Sequence, residues 1–463
     1  MVHHVQSGPI NLDTLIRFND PIADEVDVVV IGGGIIGVTA ALYLIDEGLS
    51  VAIVEKGRMA CEQSSRNWGW IRQHGRDADE LPIMMEANRL WGELDNQTKN
   101  RTGFTRGGIM YLASSEEKMA VREKWVAIAK EHQLDTRILS RKEVAEHIDQ
   151  GNGSADSAYP NNAHKWVGAT FTPSDARAEA WQAVPALSEL AQSKGVLISE
   201  NCAARTLEIT AGAVTGVVTE RGTIKCSQIV LAAGAWSSLF LQRHGVSIPQ
   251  LSVRSSVSST GPMAKVFGGN AADETIAFRR REDGGYNISL SNYHDLYLGP
   301  DAFRNFFKWL PVATEHWRDT KLRPMAPGGF PDGWRTRRKW SEDEESPFEQ
   351  TRVLEPQPNM NKLEELRSEF AKRFPNLGKP RITHSWGGMI DAMPDIVPIV
   401  DHIPQLGGVI LATGMSGHGF GIGPGFGKII AKMAAGKPVG HDMSRFRFSR
   451  FTDGSKMRPG PAI

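Results

Sequence analysis

The sequence predicts an α/β protein. A Rossmann-type dinucleotide-binding domain is interrupted by an α+β substrate domain with a mainly antiparallel sheet. Three observations predict this. A short β-branched apolar run leads directly into a GxGxxG turn, a helix and a second strand that ends on an acid. Strand–glycine turns recur at 229–234 and 409–414, as further pieces of one interrupted parallel sheet. The segments between them alternate in polarity, as antiparallel strands do.

Residues 28–31 (VVVI) form a buried strand, 38–49 a helix with Ala40, Ala41, Leu44 and Ile45 on one face, and 50–55 the next strand. Such a unit crosses over right-handedly and makes a parallel sheet. A helix is expected over 79–101, a strand over 105–113 and two helices over 116–148. Further helices are expected at 176–194, after 171–175, and at 428–435, with strands at 196–198, 229–233 and 409–413. Residues 206–219 read as a strand pair, 234–236 as a turn, and 251–259 with 286–298 as an antiparallel sheet. In 300–350, Phe303, Phe306, Phe307, Trp309, Trp317, Trp334 and Trp340 are interleaved with charge and proline. This stretch reads as a lid, a subunit contact or an irregular excursion capping the core. The expected organisation is 26–75, 170–250 and 383–440 for the dinucleotide domain and 76–169 with 251–382 for the substrate domain. Residues 1–25 form an N-terminal arm and 441–463 a tail.

Each residue of the Gly32-Gly33-Gly34-Ile35-Ile36-Gly37 turn has a physical task. Gly32 permits the tight turn, Gly34 lets backbone approach a pyrophosphate, and Gly37 lets helix and strand pack closely. The helix start that includes Ile35 and Ile36 offers free N–H groups and the positive dipole end to phosphate. Glu55, about 20 residues on, stands where a carboxylate accepts ribose hydroxyls, which argues against NADP.

The 463 residues carry no net formal charge, so a nucleic-acid-coating role lacks its basic field. Cys61, Cys202 and Cys226 have no CxxC spacing and make neither a disulfide framework nor a metal site. The first 25 residues lack a secretory signal, and no apolar stretch is long enough for a bilayer. A cytoplasmic protein is the expectation.

The stretch Glu55-Lys56 through Ser64-Ser65-Arg66-Asn67-Trp68-Gly69 resembles the FAD-binding continuation of the D-amino-acid oxidase superfamily, which includes glycine oxidase, sarcosine oxidase and D-amino-acid dehydrogenase. Gly414-Met415-Ser416-Gly417-His418-Gly419-Phe420 resembles the family's second flavin loop. Trp386-Gly387-Gly388-Met389-Ile390-Asp391 resembles the segment before it, and Ala232-Ala233-Gly234-Ala235-Trp236 the internal strand–turn. The backbone near Ala203 corresponds to the family's adenine contact. The resemblance spans residues 27 to about 440 and implies FAD bound to a glutathione-reductase-like domain. Relatives that attach flavin covalently use a Cys near the position of Trp386 or a His near that of Arg66; neither is present, so non-covalent FAD is expected. The lysine of the family's Gly-His-Gly-Phe-Lys loop is replaced by Gly421, and an oxygen-activating lysine is replaced near Tyr297, so the substrate pocket is rebuilt.

What the resemblance implies is oxidation of a small anionic amine or amino acid by hydride transfer to flavin N5. The imine product hydrolyses, and O2 is the favoured acceptor, giving hydrogen peroxide. The alternatives are a dehydrogenase feeding a quinone or an electron-transfer partner, and a flavin subunit of a larger complex. Arg72 is the first candidate for the substrate carboxylate, because a guanidinium clamps it bidentately. His74, Tyr286, His384 and Trp386 are secondary candidates. Arg279, Arg280 and Arg281 either face the pocket or form a solvated edge, and His418 either supports the flavin loop or moves a proton.

Overall fold

The computed structural model describes residues 8–148, 166–315 and 319–460. Residues 1–7 of the expected arm, Trp317, part of the expected substrate segment (149–165) and the last three residues of the tail lie outside them.

Val28–Ile31 is buried on both faces, as a β-branched run in the middle of a parallel sheet must be. It pairs in parallel with Val51–Val54 on one side and Gln228–Leu231 on the other. The six-stranded sheet runs Ile399–His402, Val409–Thr413, Gln228–Leu231, Val28–Ile31, Val51–Val54, Leu197–Ser199. Only its edge strand Ile399–His402 is antiparallel. Gly32, Glu55, Ala232 and Gly414 therefore follow neighbouring parallel strands at one edge, the carboxyl edge where open α/β sheets bind ligands.

Helix α1 (Ile35–Asp46) starts three residues earlier than its apolar face suggests, because Gly34 takes the extended N-cap conformation. Helix α2 (Leu81–Gln97) carries its buried face toward the same core. Helix α3 (Gly419–Ala434) differs more: only 428–435 read as helix, since glycine and Pro424 disfavour it. Packing overrides propensity there. A Cβ at Gly427 would come 2.5 Å from Thr39 Oγ1, one at Gly423 2.7 Å from Ile35 Cγ1, and one at Gly425 2.8 Å from Ile83 O. The glycines let α1 and α2 close on α3, and Thr39 Oγ1 donates to Gly423 O at 3.0 Å.

The second sheet has ten strands and is mainly antiparallel; its parallel pairs join Ile109–Ala113 to Asn270–Ala272 and His294–Tyr297 to Thr320–Arg323. Leu251–Thr260 pairs along its whole length with Ile382–Ala392. Residues 383–392 therefore stand in the large sheet rather than the six-stranded one, and so does Gly168–Thr172. Several short strands were hidden from periodicity. Arg137–Ser140 divides the two expected helices of 116–148, Gly222–Lys225 completes a three-stranded meander, and Ala176–Arg177 delays the helix expected at 176 to Ala180–Ser193. No helix of the described residues is long and apolar enough to cross a membrane.

The 300–350 stretch splits in two. Phe303, Phe306, Phe307 and Trp334 are exposed. Trp340 and Phe348 are buried against Trp236 and Phe240, and Trp340 Nε1 donates to Arg205 O at 2.9 Å.

Candidate functional site

A cavity of about 1820 Å³, counting its part open to solvent, opens among the described residues. It lies at the carboxyl edge of the six-stranded sheet, with Ser255, Val257 and 388–391 of the large sheet as its other wall.

Gly32, Gly34, Ile35 and Ile36 line it. Gly32 has φ +113°, and a Cβ there would meet Ala232 O at 2.5 Å, so the turn requires glycine. Gly37 does not line the cavity; a Cβ on it would press on Gly32 O, so it sets the distance between turn and helix. The start of α1 has no side-chain cap and no acid in its first turn. Its only side-chain acceptor is Ser64 Oγ, 2.9 Å from Ile35 N. The positive end of the helix dipole is left facing the cavity, as an anion site needs.

Glu55 is buried at the next strand end. Its Oε2 accepts from Gly33 N and its Oε1 from Gly57 N, both at 2.7 Å. Burial pushes its carboxyl up; Lys56 and these two amides oppose that. The carboxylate thus braces the glycine turn and keeps lone pairs for ligand hydroxyls. Cys61 Sγ lies 3.8 Å from Glu55 Oε1, and burial next to that carboxylate pushes its thiol well up, which leaves it unreactive. Lys56 lines the cavity, but its ammonium is engaged with Glu62 (2.7 Å), Thr351 O and Arg352 O and lies 4.3 Å over the Trp236 ring. Trp236 Nε1 donates to Glu62 in turn.

Most of the 64–69 loop supports itself. Ser64, Arg66, Asn67 and Trp68 line the cavity. Arg66, however, turns its guanidinium to Cys61 O, Ile10 O and Glu355. Asn67 donates to Gln63 O and Ser64 O and accepts from Gly69 N. Ser65 accepts from Ile10 N, away from the cavity, and Gly69 (φ +75°) packs against Ala178 O. Ala203 does not itself line the cavity. Both Ala203 backbone groups are used by Glu220, and Ala204 lines the cavity instead. Ala233, Gly234 and Trp236 line it as expected.

From the other side come Gly388, Met389, Gly417, His418, Gly419 and Phe420. Gly414 and Ser416 stand behind them, with φ of +72° and +47°. Gly414 N donates to Asp391 Oδ2 at 2.7 Å, and Ser416 N donates to Asp391 O. Asp391 also accepts from Gln250 and Thr413, and burial pushes its carboxyl up to about 6. His418 is fixed at both ring nitrogens. Ser416 O, an acceptor only, lies 3.1 Å from Nδ1, so Nδ1 carries hydrogen. Glu80 Oε1 lies 2.9 Å from Nε2, so one further proton occupies that bond. Burial would raise the Glu80 carboxyl, but His418, Arg76 and Arg445 outweigh it and hold it below its usual range. Burial, with Arg76 and Arg72, pushes the His418 ring below its usual value in spite of Glu80, so the proton is shared along the Nε2–Oε1 bond.

Arg72 lines the cavity beside Trp68 and Trp70; its guanidinium donates only to His74 O, at 2.9 Å, and lies 5.8 Å from the Tyr111 ring centroid. The other substrate candidates are not on the cavity. His74 is buried with its ring between Thr170 Oγ1 (3.0 Å) and Thr172 Oγ1 (2.9 Å), stacked on Trp125. Burial, then the Arg72 and Arg122 cations, hold that ring neutral. Tyr286 is wholly buried, its hydroxyl bonded to Val266 N, Phe267 N and Phe267 O. His384 is exposed near Gly8, upstream of the cavity-facing part of its strand. Trp386 braces the 64–69 loop from behind, donating to Arg66 O at 3.0 Å. The arginine run is structural: Arg279 forks onto Glu179 at 2.9 and 3.0 Å, Arg280 bonds Met263 O, and Arg281 pairs with Asp283.

Sequence reasoning missed Gln63, Trp70, Arg76, Ala204 and Thr413, all of which line the cavity. Arg76 follows Arg72 by four residues, the one signal that could have drawn attention to it.

Residues 27–433 match the family described as DAO, FAD dependent oxidoreductase. L-Amino acid deaminase from Proteus myxofaciens, solved in complex with anthranilate, superposes with a TM-score of 0.87 at 27% identity, covering 97% of this chain and 98% of that one. Monomeric sarcosine oxidase of Bacillus sp. (strain NS-129) is 22% identical over 427 residues, 92% of this chain and 96% of that protein. The mitochondrial pyruvate dehydrogenase phosphatase regulatory subunit of Mus musculus is 24% identical over 443 residues; the match takes in 91% of this chain and 43% of that relative's length.

Proposed function

The chain belongs to the DAO family of FAD-dependent oxidoreductases, and from that premise we propose that it oxidises the carbon–nitrogen bond of a small amino acid or secondary amine carboxylate. FAD would be held non-covalently. The α1 amides would take the pyrophosphate, Glu55 the ribose hydroxyls, and the 64–68 and 417–420 loops the flavin. Bound there, FAD supplies the hydride acceptor.

Arg72 carries the substrate assignment: it is a cavity-facing guanidinium with one protein acceptor, between aromatic walls. Its remaining donors suit a carboxylate held bidentately. Trp68, Trp70 and Phe420 keep water from the reacting carbon and favour the neutral amine, whose lone pair assists loss of hydride. With both ring nitrogens engaged, His418 holds the loop in place rather than acting as a base. The substrate gives up a hydride and its N–H proton, and water splits the resulting imine into an amine or ammonia and a carbonyl compound. Dioxygen then takes two electrons and two protons and leaves as hydrogen peroxide, a choice supported by a relative named as an oxidase.

A panel of amino acids, N-alkyl amino acids and polyamines mixed with the FAD-loaded protein tests this. At least one amine carboxylate should turn over with peroxide formed in step with carbonyl product. Turnover with a dye but no peroxide would move the acceptor to a quinone or protein partner. No turnover by any of them would overturn the reading.

A further inference from the structure

Other buried arginines among the described residues have partners: Arg279 pairs with Glu179, Arg450 and Arg445 with Asp395 and Arg66 with Glu355, while Arg58 bonds Thr14 O, Leu12 O and Asn201. Arg76 is the exception. It is 4% exposed and lines the cavity, yet among the described residues its guanidinium makes no hydrogen bond or ion pair. Its backbone is well held, with Arg76 N bonded to Gln73 O and Arg76 O accepting from Trp125 Nε1, so its position is not accidental. Among the described residues Arg72, the other cation of this wall, forms no ion pair and donates only to His74 O.

The carboxylates nearby attract Arg76 but are bonded elsewhere. Glu80 bonds His418 through Oε1 and attracts Arg76 without bonding to it, and Asp175 is held by the amides of Gln73 and His74 and the Gln73 side chain. Burial, reinforced by repulsion from Arg72, brings Arg76 down to about 9, so it remains a cation at neutral pH. Two arginines thus line one aromatic-walled cavity, and among the described residues no carboxylate bonds to either guanidinium. A buried charge left unpaired is costly, and the charge missing here is negative. A substrate with one carboxylate satisfies Arg72 and leaves Arg76 as it is.

We propose that the substrate is dianionic, an amino or imino acid with a second carboxylate, with Arg72 and Arg76 each taking one carboxylate. The proposal rests on the amine-oxidation reading above and deepens it. Arg76 is a specificity-determining residue, and its guanidinium takes no part in bond breaking.

The test uses the FAD-loaded full chain in two arms. In the binding arm, malonate, succinate and glutarate are titrated against acetate and propionate, with perturbation of the flavin absorption band and thermal shift as readouts. At least one dicarboxylate should bind tenfold or more tightly than the monocarboxylates, and Arg76→Met should erase most of that preference. In the reduction arm, iminodiacetate and both enantiomers of aspartate and glutamate are compared anaerobically with sarcosine, asparagine and glutamine. Dicarboxylates should show at least tenfold higher kcat/KM, and Arg76→Met should narrow the ratio at least tenfold through KM. Equal binding of mono- and dicarboxylates, or a ratio unmoved in Arg76→Met, overturns the proposal even where amine oxidation holds. A variant that shifts the flavin potential but leaves both ratios unchanged also overturns it, placing Arg76 at the reduced cofactor instead. Tight dicarboxylate binding lost in Arg76→Met, with no amine reducing the flavin, supports the dianion site while the oxidation reading fails.

Discussion

Replacing Glu55 by glutamine should weaken FAD binding by roughly 10- to 100-fold while leaving the fold in place. In the native protein one carboxylate oxygen accepts from Gly33 N and the other from Gly57 N, each at 2.7 Å, inside a buried turn. Glutamine offers one carbonyl oxygen and an NH2 group, so one of those amides faces a donor. A buried donor left unsatisfied costs about 1–3 kcal/mol, and the shape of the glycine turn depends on both bonds. The substitution also removes a carboxylate that burial pushes up, and this gain offsets part of the loss in the cofactor-free protein. The two effects separate experimentally. The thermal midpoint of the apoprotein should move little, while the Kd of FAD, read by quenching of flavin fluorescence on titration into apoprotein, should rise by the stated factor, about 1.4–2.8 kcal/mol. An unchanged Kd with an unchanged midpoint would refute the role given to Glu55.

Gly37→Ala should lose FAD almost entirely, since its Cβ would come closer than 3.0 Å to Gly32 O and push α1 from the turn by about 1 Å, costing roughly 1–3 kcal/mol. Gly328→Ala, whose Cβ meets open space, is the control, and FAD content after desalting reads both. Glu179→Gln should destabilise the chain by about 3–5 kcal/mol in chemical denaturation, because Arg279, 1% exposed, loses its partner. Burial raises Asp391 to about 6, so its protonated form is favoured in the folded state. Its contribution to stability is present below about pH 4 and is lost as pH rises through about 6. Relative to Asp391→Asn, the native apoprotein should lose up to about 3 kcal/mol between pH 4 and pH 7, read from denaturation midpoints. Acid precipitation of the holoprotein should release its yellow chromophore into the supernatant; colour retained in the pellet would mean a covalent link.

The cofactor half of the site was legible because glycine positions there are steric requirements. Gly32, Gly34 and Gly37 serve a turn whose spacing few other structures need, and Glu55 follows directly on the apolar strand run 51–54. The stretch 414–420 was legible as a loop, but the helix beginning inside it was not. The glycines of 421–427 read as breakers, whereas they are what allows α1 and α2 to press on α3. The substrate side was legible only at Arg72. His74, Tyr286 and the 279–281 arginines carry chemically capable side chains, yet each is spent on a buried partner, and sequence does not show a partner 96 or 100 residues away. Arg76 was missed for the converse reason: what distinguishes it is the absence of a partner, which appears only when the fold is closed around it.

Anaerobic titration of the FAD-loaded protein with small amino and imino carboxylates tests the central claim most directly. The account expects oxidised-flavin absorbance to disappear with one of them, one equivalent of carbonyl product forming per flavin reduced, and Arg72→Met to raise the concentration needed at least tenfold without loss of FAD. Flavin that stays oxidised with every amine carboxylate tried would contradict it.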